Sequence, residues 1–437
     1  MITASQAFSK PPRATFRTFL NSNDTRHHLS TALKQVGDSR RKGPRLVPMG
    51  TVLQAAVIGF ASGLKAVKSW DDNLRHRAAS RRFSQTARHS GAIADDTFRL
   101  AFESASLGDL QDILRQQARR ELKRWSTGPH TKSRLGTELC KLGANRLASC
   151  PVLAIDGHWL CTCKTKKCAE CTPLKNSDDT RWGHRIVVAQ WVGSHPAMIV
   201  DFEPVKSPEG EVTAAKRLLK RVTKHVPDAF KVLLLDALYD SEPMRYAIVN
   251  AKLHYVIRHK DPRRSPGGEG VEAILERDPE RKKPDGVFLH RDDHRVDVWQ
   301  EFEAPNGRRT VAFSLRDGSL GACVTNLPAQ LASPCAVTIL MMERWSQENT
   351  GFHELAGQMN LDRAYVHKGR ANAVWTVVAV ALIAYNAWQS YLYKTLGIDP
   401  MRPGRSWADL RIDLWCSLGD RDHVDDHHAT GPPPQAA

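Results

Sequence analysis

The sequence predicts an α/β protein: a mixed sheet with flanking helices, preceded by a helical segment and interrupted by a β-rich insertion. Three observations carry that reading. Residues 151–260 alternate short apolar runs with amphipathic helical stretches. Residues 49–126 instead repeat apolar positions at helical spacing. Residues 261–318 turn polar and loop-forming, with brief β-like runs between Pro- and Gly-rich breaks.

In chain order, residues 1–48 hold nine Lys/Arg against Asp24 and Asp38, and their apolar periodicity is poor. That composition predicts a basic flexible arm, with a short helix around 28–36 still compatible. Residues 49–150 form a predicted helical domain. "TVLQAAVIGFASGL" is apolar at helical spacing, and "GAIADDTFRLAFESASLGDLQDILRQQARRELKRW" reads as two short helices joined at "SLGD". Asp95 or Asp96 suits the cap of the first, and Ser106 and Asp109 lie at the start of the second. With Arg81, Arg82, Arg88 and Arg99 around them, the pair fits a DNA-binding helix-turn-helix. A plain helical bundle has the same pattern, and the spacing does not choose.

From 151 to 260 the predicted order is three strands (151–160, 185–193, 196–205), a helix (210–226), a strand beginning at 231, a helix (241–251) and a strand (253–260). The helix at 210–226 sets Val212, Ala215, Leu218, Leu219 and Val222 on one face. Within the insertion, 261–318, strands are expected at "VFLHR", "HRVDVWQEFE" and "RRTVAFSLR", with a turn at Pro305–Asn306–Gly307. Residues 319–420 complete the core with a long helical region from about 334 to 395, broken around 360–370. The tail, 421–437, has the composition of a disordered segment.

Charge and cysteine usage narrow the function classes. The 437 residues carry 63 Lys+Arg against 47 Asp+Glu, a net +16, with a pI near 9.5. An excess of this size points to a polyanion, nucleic acid before anionic membrane. The apolar stretch "ANAVWTVVAVALIAYNAW" (371–388) sits near the lower length limit of a membrane span and contains Asn372, Thr376 and Asn386. It reads as a buried core helix, and no membrane partner is expected. "MITASQAFSKPPRATFRTFL" has no apolar signal region, and the nine cysteines are odd in number, so a reducing cytoplasm is expected.

Four of those cysteines crowd into "CTCKTKKCAEC": Cys161, Cys163, Cys168 and Cys171. C-x-x-C is the half-site of a zinc knuckle, and four thiols within eleven residues can reach one tetrahedral ion. His158 or His184 could replace one thiol. Free thiols fit the same spacing, a disulfide fits less well, and a complete site in so short a loop would be tight. A structural zinc therefore stays one reading among these.

Two apolar strands end in acids, Asp156 in "PVLAIDGHWL" and Asp236 in "KVLLLDALYDSEP". Short carboxylates at sheet ends are where metal sites form. Asp240 is better explained as a cap of the following helix, Asp178 and Asp179 as solvated loop residues, and Asp201 as structural. In "MMERWSQENTGFHEL" (341–355), Glu348 shares a helix face with Trp345, Phe352, Leu355 and the following Met359. A Glu on an apolar stripe either lies at its edge or serves a site. Arg344, one turn earlier, is either its i,i+4 partner or a phosphate ligand.

Taken with "TNLP" (325–328), these motifs over roughly 150–395 resemble the DDE transposases of bacterial insertion sequences, in the subgroup with a β-rich insertion in a ribonuclease H-like fold. That subgroup's signature is Tyr, two residues, Arg, three residues, Glu, six residues, Lys. Arg344 and Glu348 fit it, while Met341 and Leu355 stand at the Tyr and Lys positions. The resemblance implies Asp156, Asp236 and Glu348 as catalytic ligands of two Mg²⁺ (or Mn²⁺) ions, with Arg344 on a DNA phosphate. It also implies that Trp299 stacks on a flipped-out base, although a sheet-packing Trp is the competing account. Partners would be element ends and target DNA, held by a homodimer in the bacterial cytoplasm, at the nucleoid. A catalytically inactive DNA-binding derivative and a ribonuclease H-like nuclease without strand transfer remain the other classes.

Overall fold

A computed structural model describes residues 14–22, 24–40, 47–63, 65–75, 92–125, 133–166, 168–174, 181–193, 196–259, 276, 283–290, 294–303, 308–362, 366, 371–397 and 407–417. The helices are α1 (Phe16–Asn21), α2 (Ser30–Leu33), α3 (Met49–Ala61), α4 (Val67–Arg75), α5 (Asp95–Ser104), α6 (Leu107–Trp125), α7 (Arg134–Lys141), α8 (Asn145–Ala148), α9 (Glu211–His225), α10 (Glu242–Asn250), α11 (Pro334–Ser346), α12 (Ala371–Ser390) and α13 (Trp407–Cys416). The strands are β1 (Val152–Cys163), β2 (Thr172–Leu174), β3 (Arg181–Val192), β4 (Ile199–Pro204), β5 (Val232–Leu235), β6 (His254–Arg258), β7 (Gly286–His290), β8 (His294–Glu303), β9 (Arg309–Ser314) and β10 (Leu320–Thr325).

All ten described strands join one sheet in the order β2-β3-β1-β5-β6-β10-β9-β8-β7, with β4 also on β3. β1, β3 and β4 form an antiparallel meander, and β5 and β6 then add parallel to β1. With helices on both faces, this is the ribonuclease H-like mixed sheet that the sequence predicts. Its strands are continuous apolar runs because both faces are covered. Leu153, Ile155, Leu233 and Leu235 share a core with α9 and α10, while Val152, Ala154, Val232 and Leu234 share one with α11. The period of two thus sorts even-numbered positions of β1 and β5 toward α11.

The insertion strands form where their apolar and β-branched residues predict, but they extend the central sheet instead of standing apart. β10, which the sequence did not distinguish, is the seam: it pairs with β9 on one side and β6 on the other. "TNLP" serves that seam. The Thr325 hydroxyl donates to the Tyr255 carbonyl (2.6 Å), and the Asn326 side chain accepts the Tyr255 N–H (2.8 Å). The Pro305–Asn306–Gly307 turn, Arg81, Arg82, Arg88, Asp178, Asp179 and the 421–437 tail lie outside the described residues.

Two expectations change. Part of the segment read as a flexible arm, residues 16–22 and 24–33, folds into α1, a π-helical turn and α2, the last lying within the short helix compatible with 28–36. Phe19, Leu20, Leu29 and Leu33 are buried, anchors that the basic composition masks. The helices α3, α5 and α6 also share one apolar cluster with α12 instead of enclosing a core of their own. α12 is the stretch apolar enough to cross a membrane, and it lies wholly buried in that cluster. Its Asn386 faces the β4 backbone, accepting from Ile199 N–H and donating to Ile199 C=O, both at 2.8 Å.

Candidate active site

The register brings the first two acids together. Ile155 pairs with Leu235 in the parallel β1–β5 ladder, so Asp156 and Asp236 each come one residue later on adjacent strands. Strands lie about 4.8 Å apart. Both aspartates are in phase with Ala154 and Leu234, whose side chains pack toward α11. At the end of α11 the backbone loosens into a π-helical turn, Gln347–Phe352, which carries Glu348. Such widened turns occur disproportionately at functional sites.

Two residues that the sequence reading missed seat this turn. Gln347 is fully buried, and its side-chain amide donates to the Val188 carbonyl at 3.0 Å. Val188 is the β3 partner of Asp156, so the residue next to Glu348 is tied directly opposite Asp156. Gly351 then lies against β3: a Cβ there would meet the Gln190 side chain at 2.3 Å.

The three carboxylates converge on one guanidinium. Arg344 Nη1 is 3.1 Å from Asp156 Oδ2 and 2.9 Å from Glu348 Oε1, and Nη2 is 3.6 Å from Asp236 Oδ1. The last is an ion-pair distance, too long for a hydrogen bond. Arg344 is only 1% exposed, whereas the side chains of Asp236 and Glu348 are 33% and 42% exposed, so the cluster opens to solvent on their side. Arg344 is thus more than an i,i+4 partner of Glu348. Its Nε is buried with no acceptor among the described residues.

Burial pushes the Asp156 carboxyl up to about 7; Arg344 and the Gly157 N–H pull it back, while Glu348 and Asp236 push it further up. Asp156 Oδ1 accepts that N–H at 2.8 Å. Gly157 is glycine because the Glu211 carboxyl lies over it, 2.2 Å from where a Cβ would stand. Glu211 is itself fixed by the Tyr239 hydroxyl, which donates at 2.6 Å, and by Arg185 at 3.1 Å. In the sequence Glu211 looks like an ordinary first-turn acid of a helix; only the fold sets it beside Asp156.

The remaining candidates separate from this cluster. Asp240 pairs with Arg245, and Ser241 takes the N-cap position expected of Asp240. Asp201 is fully buried between Arg115 and Arg221, at 2.7 Å from each. Trp299, on β8, packs against Ala312 of β9. Four strand steps separate β8 from β5, about 19 Å at the usual spacing.

Among the described residues, one set of three metal-type ligands has its atoms all within 4.8 Å of one another, and it is Cys168, Cys171 and His184, not the carboxylates. Cys163 does not join that set, and the side chain of Cys161 lies outside the described residues.

The mixed sheet thus carries acids at two adjacent strand ends, with a third acid on the turn that follows α11. A family model described as the transposase DDE domain matches residues 150–387, more than half of the chain, and the chain belongs to that family. The matched span includes Asp156, Asp236, Arg344 and Glu348. Among solved structures, a piggyBac transposase synaptic complex with hairpin DNA is similar with a TM-score of 0.42 and 12% sequence identity, over 92% of this chain and 79% of that one. No curated protein matches the chain in sequence.

Proposed function

We propose that the protein is a DNA transposase that cuts at the ends of an insertion element and joins the freed 3′-hydroxyl to target DNA, using Asp156, Asp236 and Glu348 as metal ligands. The observation that carries this reading is the convergence of those three carboxylates on the buried Arg344 guanidinium. The all-oxygen donor set of the three carboxylates suits Mg²⁺ or Mn²⁺. Two such ions supply a metal-activated nucleophile and a clamp on the leaving oxygen.

The chain's own contribution is positional. Asp156, Asp236 and Glu348 would together hold the ions. The parallel ladder holds the aspartates at a fixed spacing, and Gln347 holds the turn of Glu348 against β3. Arg344, whose guanidinium lies among the three carboxylates, would offer its fork to a phosphate. The basic residues of the N-terminal segment and the helical region at 49–150 would bind DNA flanking the cleavage point. Two ends must be held together for strand transfer, so a homodimer on DNA is the working form.

The test uses purified full-length protein with DNA carrying the element's own ends. Mg²⁺-dependent nicking and a joined product are expected, and Asp156→Ala should abolish both while leaving DNA binding within about twofold. Cleavage that survives Asp156→Ala would refute the triad. Nicking without joined product would identify a nuclease, and binding without nicking an inactive derivative.

A further inference from the structure

Away from the carboxylate cluster, three soft ligands form a compact triangle. Cys168 Sγ and Cys171 Sγ are 3.6 Å apart, and His184 Nε2 lies 3.4 Å from the first and 3.6 Å from the second. A tetrahedral zinc with Zn–S of about 2.3 Å and Zn–N of about 2.05 Å sets S···S near 3.8 Å and S···N near 3.6 Å. The observed triangle agrees to within about 0.2 Å on every edge. A disulfide would need the two sulfurs at about 2.05 Å.

Local structure explains why the three meet. Cys168 and Cys171 flank a tight turn, in which the Cys171 N–H donates to the Cys168 carbonyl at 3.3 Å. β2 follows at once and pairs with β3, Thr172 opposite Gly183, which delivers Cys171 beside His184. Cys171 and His184 are both 1% exposed. The edge of Trp375 on α12 meets the His184 ring at 5.0 Å and 89°. The same indole donates at 2.6 Å to Glu170, one of the two residues between the cysteines, so α12 fixes both the imidazole and the knuckle. The candidate for a fourth ligand is Cys163, which lies outside that compact triangle. It pairs with Trp182 across β1–β3, and alternation puts it on the same sheet face as His184.

We propose that Cys168, Cys171 and His184 bind one structural zinc ion, with Cys163 supplying the fourth ligand. Thiolate and imidazole select zinc over the hard cations suited to the carboxylates. Cys163 stands seven residues beyond Asp156 on β1, roughly 20 Å away, so the two sites are separate.

The experiment is metal analysis of the full-length protein purified without chelators from zinc-supplemented cells. About one zinc per chain is expected, falling at least tenfold in Cys171→Ser and in His184→Ala. Because those variants can misfold, the wild-type protein is also exchanged with Co²⁺, which should give the thiolate-to-cobalt charge-transfer band and intense visible bands of a tetrahedral site. Zinc below about a tenth of an equivalent in the wild type, together with no cobalt spectrum, would overturn the site. A Cys163→Ser variant with unchanged zinc and cobalt spectrum would overturn the assignment of the fourth ligand.

Discussion

Glu354 gives the protein a pH dependence of stability that can be separated from every other group. It lies in the π-helical stretch Glu354–Gln358, where its Oε2 accepts from the Tyr385 hydroxyl at 3.1 Å and from the Gln389 amide at 3.2 Å. Burial raises its carboxyl from the usual 4.5 to about 8, with the Tyr385 hydroxyl pulling it part of the way back. Below about pH 4.5 folded and unfolded chains both hold the proton, and the stabilisation is complete. As pH rises toward 8 only the folded chain still holds it, so stability falls, and above 8 the loss levels off. At about 1.4 kcal/mol per pH unit the ceiling is near 5 kcal/mol, and an effective interior dielectric nearer 20 than 4 brings the expected loss to about 2–5 kcal/mol. Glu354→Gln keeps the shape and an acceptor oxygen but cannot ionise. Urea unfolding of both proteins at about pH 5 and about pH 8.5 should show the wild type losing about 2–4 kcal/mol more than the variant. Asp156 titrates in the same window, but in both proteins, so it cancels in the difference. Parallel pH profiles for the two proteins would refute the reasoning.

Three other substitutions probe the site and its surroundings. Arg344→Ala leaves three carboxylates facing one another around a buried gap and should cost about 3–5 kcal/mol in urea unfolding, with Arg344→Lys recovering only part because it lacks the planar fork. Gln347→Met removes the tether between the Glu348 turn and Val188; single-turnover nicking should fall about tenfold or more while circular dichroism stays unchanged. Trp299→Ala should lower the melting temperature through lost packing on Ala312 and leave the nicking rate within about twofold; a collapse in rate with the fold intact would instead support base stacking.

What was legible in the sequence follows the range of the interactions. The apolar runs ending at Ile155 and Leu235 announce their strands, and a period of two then fixes which face Asp156 and Asp236 join. The Glu348 assignment came through the resemblance to a family, because the π-helical turn that carries it has no marker in residue spacing. Gln347 was invisible for a different reason: its partner carbonyl is 159 residues away in the chain. Glu211 was hidden in the same way. β10 was overlooked because "LGACVT" shows no alternation, being covered on both faces, with Ala322, Cys323 and Val324 all buried. In the cysteine segment the sequence supplied four thiols and two alternative histidines, and only the β2–β3 pairing picks His184.

The geometry of β1 explains why a metal clamp would matter at its far end. β5 stops beside Ile155, while β1 continues to Cys163 with β3 as its paired neighbour. Beyond Asp156 the sheet therefore narrows to a ribbon in which β1 is an edge strand, paired by β3 alone, with β4 and then β2 on the far side of β3. The β1–β3 register also slips between Trp159 and Thr162, which weakens the ladder further. That ribbon touches the turn carrying Glu348 directly, since His158 stacks on Phe352 at 4.6 Å, four residues after Glu348. A zinc ion joining Cys163 and His184 to the Cys168–Cys171 knuckle would close the ribbon, and α12 would brace it through Trp375. If both proposed sites are filled, one strand would carry hard oxygen ligands near its centre and soft sulfur ligands at its end, with the second site keeping the first in register with Glu348.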